Sequence, residues 1–334
     1  MSIFPTKILL ATHGSEDAEL AATTAVNLAK STGSELHVVD VFPGPAYVHP
    51  YYETHFPEAA ERLRREARKG RQEVLYERVE RIRELGGSVA QTHIREGETD
   101  AEIVTLAEEV ESGLIAIGSR GRGGLRRALM GNVSDSVVRH APCPVMVVRA
   151  EAVDFPTKIL VATDRSGEAK LAATTAADLT KSTNSELHVV HVGFEQSRDE
   201  AQEELDTEVD MIRESGAQDV QAHLEFGRPD TAIIDLAEEL GAGLIVMGSR
   251  GLGGVRRALL GSNSDSVVRH AHCPVGSAPS VGVAASSPSP PLPDRCSVLG
   301  DPSHGAVCLR RLLGASPHRT AKLRVDFSRG CRQE

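Results

Sequence analysis

FPTKILLATHGSEDAELAATTAVNLAKSTGSELHVVDV, residues 4–41, returns as FPTKILVATDRSGEAKLAATTAADLTKSTNSELHVVHV, residues 155–192, at an offset of 151. A second pair follows: GLIAIGSRGRGGLRRALMGNVSDSVVRHAPCPV, residues 113–145, and GLIVMGSRGLGGVRRALLGSNSDSVVRHAHCPV, residues 243–275, at an offset of 130. The offsets differ by 21, which places a 21-residue insertion in the first copy, after its second strand. Solenoid units repeat every 20 to 50 residues or so. A longer period means that a whole domain has been duplicated.

Each copy reads strand–helix–strand–helix–strand–helix–strand–helix, with a closing strand. Lys7 to Thr12 is an apolar run that stops before a helix start. Ser15 is placed to cap that helix, and Glu16 and Asp17 sit where the helix dipole favours acids. Ala18, Ala22, Ala25 and Ala29 recur on one face. Gly33, matched by Asn184, ends it, because both residues tolerate the left-handed conformation of a helix C-cap. Leu36 to Val41 is the second strand, and a charged helix spans about Pro57 to Leu85. Asp100 or Thr99 caps the next helix. Leu114 to Ile117, apolar on both faces, is a central parallel strand. Alternating strands and helices predict two tandem α/β domains with doubly wound parallel sheets and right-handed crossovers. The boundaries fall at 1–150 and 151–276.

Composition narrows the function. The formal charge is −10, which gives no basic footprint for nucleic acid. Five cysteines show neither a paired nor a metal-ligand spacing, as in a reducing compartment. The apolar stretch Ile8 to Ala11 is too short for a signal peptide or a membrane span. The expected location is the cytoplasm, with no membrane partner. Beyond Val275 the second copy reads GSAPSVGVAASSPSPP where the first reads MVVRA. Its fifth strand is therefore expected to be truncated, and residues 277–334 form a basic tail rich in Pro, Ser and Arg that should be disordered. The insertion, PGPAYVHPYYETHFP, holds three of the four tyrosines and is a loop either of function or of simple cover over the sheet end.

The strongest chemical signal is a glycine pattern. Gly118 and Gly121, with two residues between them, are followed after nine more by Gly131; Gly248, Gly251 and Gly261 repeat it. The first glycine closes a buried strand and the last opens a helix. A helix start offers unpaired amides and the positive end of its dipole, which is a site for anionic oxygens. The hydroxyls of Ser262 and Ser264 are expected to add donors. No P-loop lysine motif and no dinucleotide G-x-G-x-x-G fingerprint accompanies it.

With the start signals KILLATHGS and KILVATDRS and the strands LHVVDV and LHVVHV, the spacing G-x2-G-x9-G-(S/T) resembles the ATP-binding motif of the universal stress protein (UspA) family. The resemblance covers residues 4 to 275. It implies an adenine-nucleotide α-hydrolase-like fold and a pocket for ATP, alone or with Mg2+. In copy two that pocket comprises Ala162, Thr163 and Asp164 near adenine and ribose, Val192 beside adenine, and Gly248, Gly251, Gly261, Ser262 and Ser264 around the phosphates. In copy one the equivalents are Ala11, Thr12, His13, Val41, Gly118, Gly121, Gly131, Asn132 and Ser134. His13 stands in place of the aspartate and cannot accept from a ribose hydroxyl as a carboxylate does. The resemblance also implies an internal pseudo-dimer joined through fifth strands. With the second fifth strand broken, that pairing should be loose, or replaced by association between chains as a homodimer.

No Ser/His/Asp or Cys/His arrangement recurs in both copies, and no paired carboxylates flank the glycine loops. Fast hydrolysis needs a positioned water and a charge-stabilising group. The sequence therefore reads as an ATP-binding stress-response regulator or nucleotide sensor with slow hydrolysis at most, working through a regulatory protein partner. The other reading is a nucleotide-free interaction module of the same fold. Arg126, Arg127, Arg256 and Arg257 read as solvated faces, His140 and His270 as helix-end cations, and Cys143 and Cys273 as buried small residues.

Overall fold

The run KILLA forms β1, Lys7–Ala11, in which Ile8, Leu9 and Leu10 are fully buried. Burial on both faces is what a central parallel strand requires. The computed structural model describes residues 4–42, 54–119, 130–149, 157–217, 219–249 and 260–278. In the first repeat α1 (Glu16–Thr32), β2 (Glu35–Phe42), α2 (Pro57–Glu84), β3 (Val89–Glu96), α3 (Thr99–Glu109), β4 (Leu114–Gly118), α4 (Asn132–His140) and β5 (Val145–Val148) follow. The second repeat runs β6 (Lys158–Thr163), α5 (Gly167–Thr183), β7 (Glu186–Gly193), α6 (Arg198–Glu214), β8 (Val220–Phe226), α7 (Pro229–Leu240), β9 (Leu244–Gly248), α8 (Ser262–His270) and β10 (Val275–Ala278).

Local chemistry sets the helix ends where the sequence placed them. Ser15 accepts from the Ala18 amide at 3.2 Å, and Ser166 accepts from Ala169 at 3.1 Å. Gly33 and Asn184 take φ of 66° and 56° at the far ends. Asp100 behaves otherwise. It lies inside the first turn of α3, past the cap position at Glu98, and accepts from Ser136 Oγ of α4. Part of the insertion is helix: α2 is 28 residues long, against 17 for α6. The tyrosines of the insertion, the arginine pairs at 126–127 and 256–257, and the tail from 279 onward lie outside the described residues.

The strands form one ten-stranded sheet in the order β3-β2-β1-β4-β5-β10-β9-β6-β7-β8. All neighbours are parallel except β5 and β10, which pair antiparallel with Met146 opposite Gly276. One apolar layer packs α1, α2, α5 and α6 on one face of the sheet. The other packs α3, α4, α7 and α8 on the opposite face. Both layers run through both repeats. In each half the strand order reverses between the first and fourth strands, and that switch point is where α/β sheets hold ligands.

The expected truncation of the fifth strand does not occur. β10 has four residues like β5, and it is hydrogen-bonded on one side to β9 and on the other to β5. A strand ladder is made by backbone groups, so Gly276 and Ser277 pair as well as Met146 and Val147 do. The weakness is local: Ser277 is buried and its hydroxyl has no hydrogen-bond partner. Charge fastens the same junction. Arg269 of α8 donates to Asp265 at 2.8 Å and across the junction to Asp135 of α4 at 3.2 Å. Arg139 donates to Asp135 at 2.9 Å and approaches Asp265 at 3.9 Å. Arg149 donates to the Val268 carbonyl at 3.2 Å.

Candidate functional site

The sheet brings three chain segments of each repeat to one edge. Ala11 is opposite Val39 of β2 on one side and Ile117 of β4 on the other. The ends of β1, β2 and β4, with the start of α4, therefore surround one point. Ala162, the end of β7 and the end of β9 repeat this in the second half. Ala11, Val41 and Ala162 are buried in the layer under α3, α4, α7 and α8, with Val192 packed against it. They form an apolar floor beside the glycine cradle. Thr12 donates its amide to Val39 O at 3.0 Å, and Thr163 lies opposite His191.

Gly118 must lack a side chain for a reason the sequence did not reveal. A Cβ there would meet the backbone of α1, at 2.7 Å from Asp17 C and 2.8 Å from Ala18 N. The alanine face of α1 and the glycine of β4 are one packing solution: small residues bring the helix start down onto the sheet end. Gly121 and Gly251 lie outside the described residues.

Gly131 and Gly261 occupy the cap positions of α4 and α8 with extended backbone, φ −69° and −62°, and no capping side chain. Each is pinned by its own amide, which donates to Ser119 O or Ser249 O at 2.8 Å. Asn132 and Ser262 are the first helical residues. The first amides of a helix have no intrahelical acceptor, and the glycine at the cap supplies none.

Ser134 and Ser264 turn their hydroxyls away from the helix start. Both are buried, and their hydroxyls donate backward into the fold, to Gly118 O at 2.7 Å and Gly248 O at 2.8 Å. A hydroxyl has one proton. The proton given to the strand end ties each helix start to the sheet.

The reading of the sequence missed the next residue along, Ser119 and Ser249. Ser119 Oγ donates to Asp17 at 2.6 Å. In copy two the residue at the place of Asp17 is Glu168, and Ser249, 7% exposed, has no hydrogen-bond partner for its hydroxyl among the described residues. The signal was present in the aligned copies, as a serine retained while its acceptor changed. A buried hydroxyl without a partner costs about 1–3 kcal/mol. An acceptor brought to the second cradle would remove that cost.

The strand-one turn is where the copies differ most. Asp164 Oδ1 accepts from the Ser166 amide at 3.0 Å, so its carboxylate also shapes its own turn. His13 occupies that place in copy one. Behind it Asp40, fully buried, receives Arg71 at 2.7 and 2.6 Å and Arg78 at 2.5 Å; Arg78 also donates to Thr12 O at 3.1 Å. None of these three residues was singled out from the sequence.

Cys143 and Cys273 are buried and free, and burial pushes each thiol up to about 12. They are inert at neutral pH. His140 and His270 bond the carbonyls of Ser136 and Ser266 at 2.8 Å and so close helix ends. Among the described residues no group of three or more His, Cys, Asp and Glu is placed to hold a metal ion. No described helix is long and apolar enough to cross a membrane.

Fold and site together define a duplicated doubly wound α/β protein with a glycine-capped helix start at the switch point of each half. The sequence profile of the universal stress protein family matches residues 5–149 and again 156–276. The chain belongs to that family. A curated relative from Staphylococcus haemolyticus that carries the universal stress protein name is 34% identical over 156 residues, 46% of this chain and 90% of its own. The crystal structure of a universal stress protein from Archaeoglobus fulgidus is 30% identical with a TM-score of 0.63, covering 82% of this chain and 98% of its own. A Pseudomonas aeruginosa structure, 22% identical with a TM-score of 0.59, shares the fold.

Proposed function

We propose that this chain binds ATP in its second repeat and serves as a cytoplasmic stress-response regulator, with hydrolysis slow at most. The observation that carries the reading is the second cradle: the open start of α8 at Gly261 and Ser262, beside the unpartnered buried hydroxyl of Ser249. Partial positive charge and a spare donor meet at the strand ends, which is the chemistry that receives a phosphate chain. Asp164 in the adjoining turn supplies the carboxylate acceptor for a ribose hydroxyl, which copy one lacks at His13. Asn132 at the start of α4 can still donate, so the first cradle is the weaker site of the pair. Nothing described near either cradle positions a water for attack, which is why binding rather than turnover is the proposed role.

The test is the nucleotide content of purified protein, released by heat and identified by mass. About one ATP per chain, lost in Gly261→Val and kept in Gly131→Val, is the expected result. Nucleotide-free protein that still engages a partner would overturn it in favour of an interaction module. Retention lost through Gly131→Val instead would move the site to copy one.

A further inference from the structure

The turn after the first strand is fastened in both repeats to the helix that follows the second strand, through charges of opposite sign. In copy one the Thr12 carbonyl is held by Arg78 of α2, which also grips Asp40. In copy two the Thr163 carbonyl is held by His191, which stands at the place of Asp40; its Nδ1 lies 3.2 Å away and donates. The other ring nitrogen faces Glu204 of α6 at 3.5 Å. Glu204 is in turn ion-paired with Arg165, the residue next to Asp164. Thr163, His191, Glu204 and Arg165 thus close a ring around the turn that presents Asp164.

Arg165 has φ of 65°, where copy one has Gly14 at 76°. Glycine takes that conformation freely, whereas an arginine pays about 1–2 kcal/mol. Residues held in such regions cluster where the strain is put to use. Here the strained backbone aims the guanidinium at Glu204, and Gly14 has no side chain to do so. The amide of Arg165 also donates to Thr163 Oγ1 at 3.2 Å, so backbone and side chain secure the same turn.

We infer that Arg165, Glu204 and His191 are positioning residues of the second-repeat nucleotide site, holding the Asp164 carboxylate in register with the cradle at Gly261. The inference rests on the site reading above and goes further, since none of the three lies in the glycine motif. Copy one builds its brace from Asp40 and Arg78, and the repeats cannot exchange single members. An aspartate at 191 would face Glu204, a like charge.

The test compares wild type, Arg165→Gly, Glu204→Gln and the double variant, with Gly261→Val as the control for the site. ATP affinity is measured by calorimetry, amide exchange across residues 164–169 by mass spectrometry, and melting temperature in parallel. Each single variant should weaken ATP roughly five- to tenfold and speed exchange at the Asp164 turn, with the melting temperature nearly unchanged. Arg165→Gly relieves the backbone strain, so weaker binding from it cannot be a strain effect. The double variant should bind no worse than either single one, the mark of residues acting as a unit. Wild-type affinity in both single variants, while Gly261→Val loses ATP, overturns the inference and leaves the site reading intact. If Gly261→Val binds ATP as wild type does, the site reading fails and the inference that rests on it is overturned with it.

Discussion

Replacing Ser277 by valine should stabilise the protein. Ser277 is 3% exposed in the middle of the junction strand, and its hydroxyl has no hydrogen-bond partner. Leaving a buried hydroxyl unpaired costs about 1–3 kcal/mol. Valine removes that cost and adds the equivalent of one buried methylene, worth about 0.8 kcal/mol. Space for it is indicated by the symmetry of the junction, since Val147 fills the equivalent place in β5 and is also buried. If the strand must shift to admit the extra group, overpacking takes back about 1 kcal/mol. The net gain is then about 1–3 kcal/mol, or roughly 3–8 °C in melting temperature for a unit of this size. The assay is urea unfolding of Ser277→Val, with the reverse change Val147→Ser beside it. The midpoint should rise in the first at constant slope and fall in the second, where a cavity and an unpaired hydroxyl appear together. An unchanged or lower midpoint in Ser277→Val would refute the argument, because it would mean the hydroxyl is satisfied or the space is absent.

Acidification should destabilise the fold from about neutral pH downward. His93, His188 and His223 are all held below the ordinary 6.5, chiefly by burial. Their lowered native values mean that the unfolded chain takes up protons first, so the stability they confer is complete above 6.5 and is lost as pH falls through the native values. Urea midpoints at pH 7.5 and 5.5 measure this, and the difference should shrink in His188→Asn combined with His223→Gln. Ser119→Ala and Ser249→Ala should part company. The first breaks a hydroxyl bond to Asp17 and should cost about 1.5–3 kcal/mol, while the second removes an orphan and should leave stability level or higher yet weaken ATP binding. Equal effects of the two on the urea midpoint would count against the unpartnered hydroxyl.

Much of this architecture was legible because the chain states it twice. Ser15 and Ser166, or Gly33 and Asn184, are different residues or neighbourhoods that share one conformational property, and agreement between copies made each boundary firm. β10 was misread because VGSA was judged by its side chains, whereas a strand between two partners is held by its backbone. The hydroxyl contacts of Ser134 and Ser264 with the strand ends were not legible, because the direction of a hydroxyl depends on the phase of the helix against the strand end, which spacing along the chain does not encode. The Asp40 cluster was invisible for another reason. Its arginines lie 31 and 38 residues away, on a helix whose many charges look alike until the fold chooses among them.

One comparison would have found it. Between the aligned copies Asp40 becomes His191 and Arg78 becomes Glu208, so both members of the copy-one ion pair are replaced together. Losing Arg78 alone would leave the buried Asp40 short of a counter-charge, which is costly. The junction has stayed symmetric, with Asp135 and Arg139 answered by Asp265 and Arg269. These four charges join the first turn of one cradle helix to the last turn of the other, where each sign also suits the helix dipole. Both apolar layers and the ladder run through this point, so the repeats share one sheet even where their strand-end turns differ.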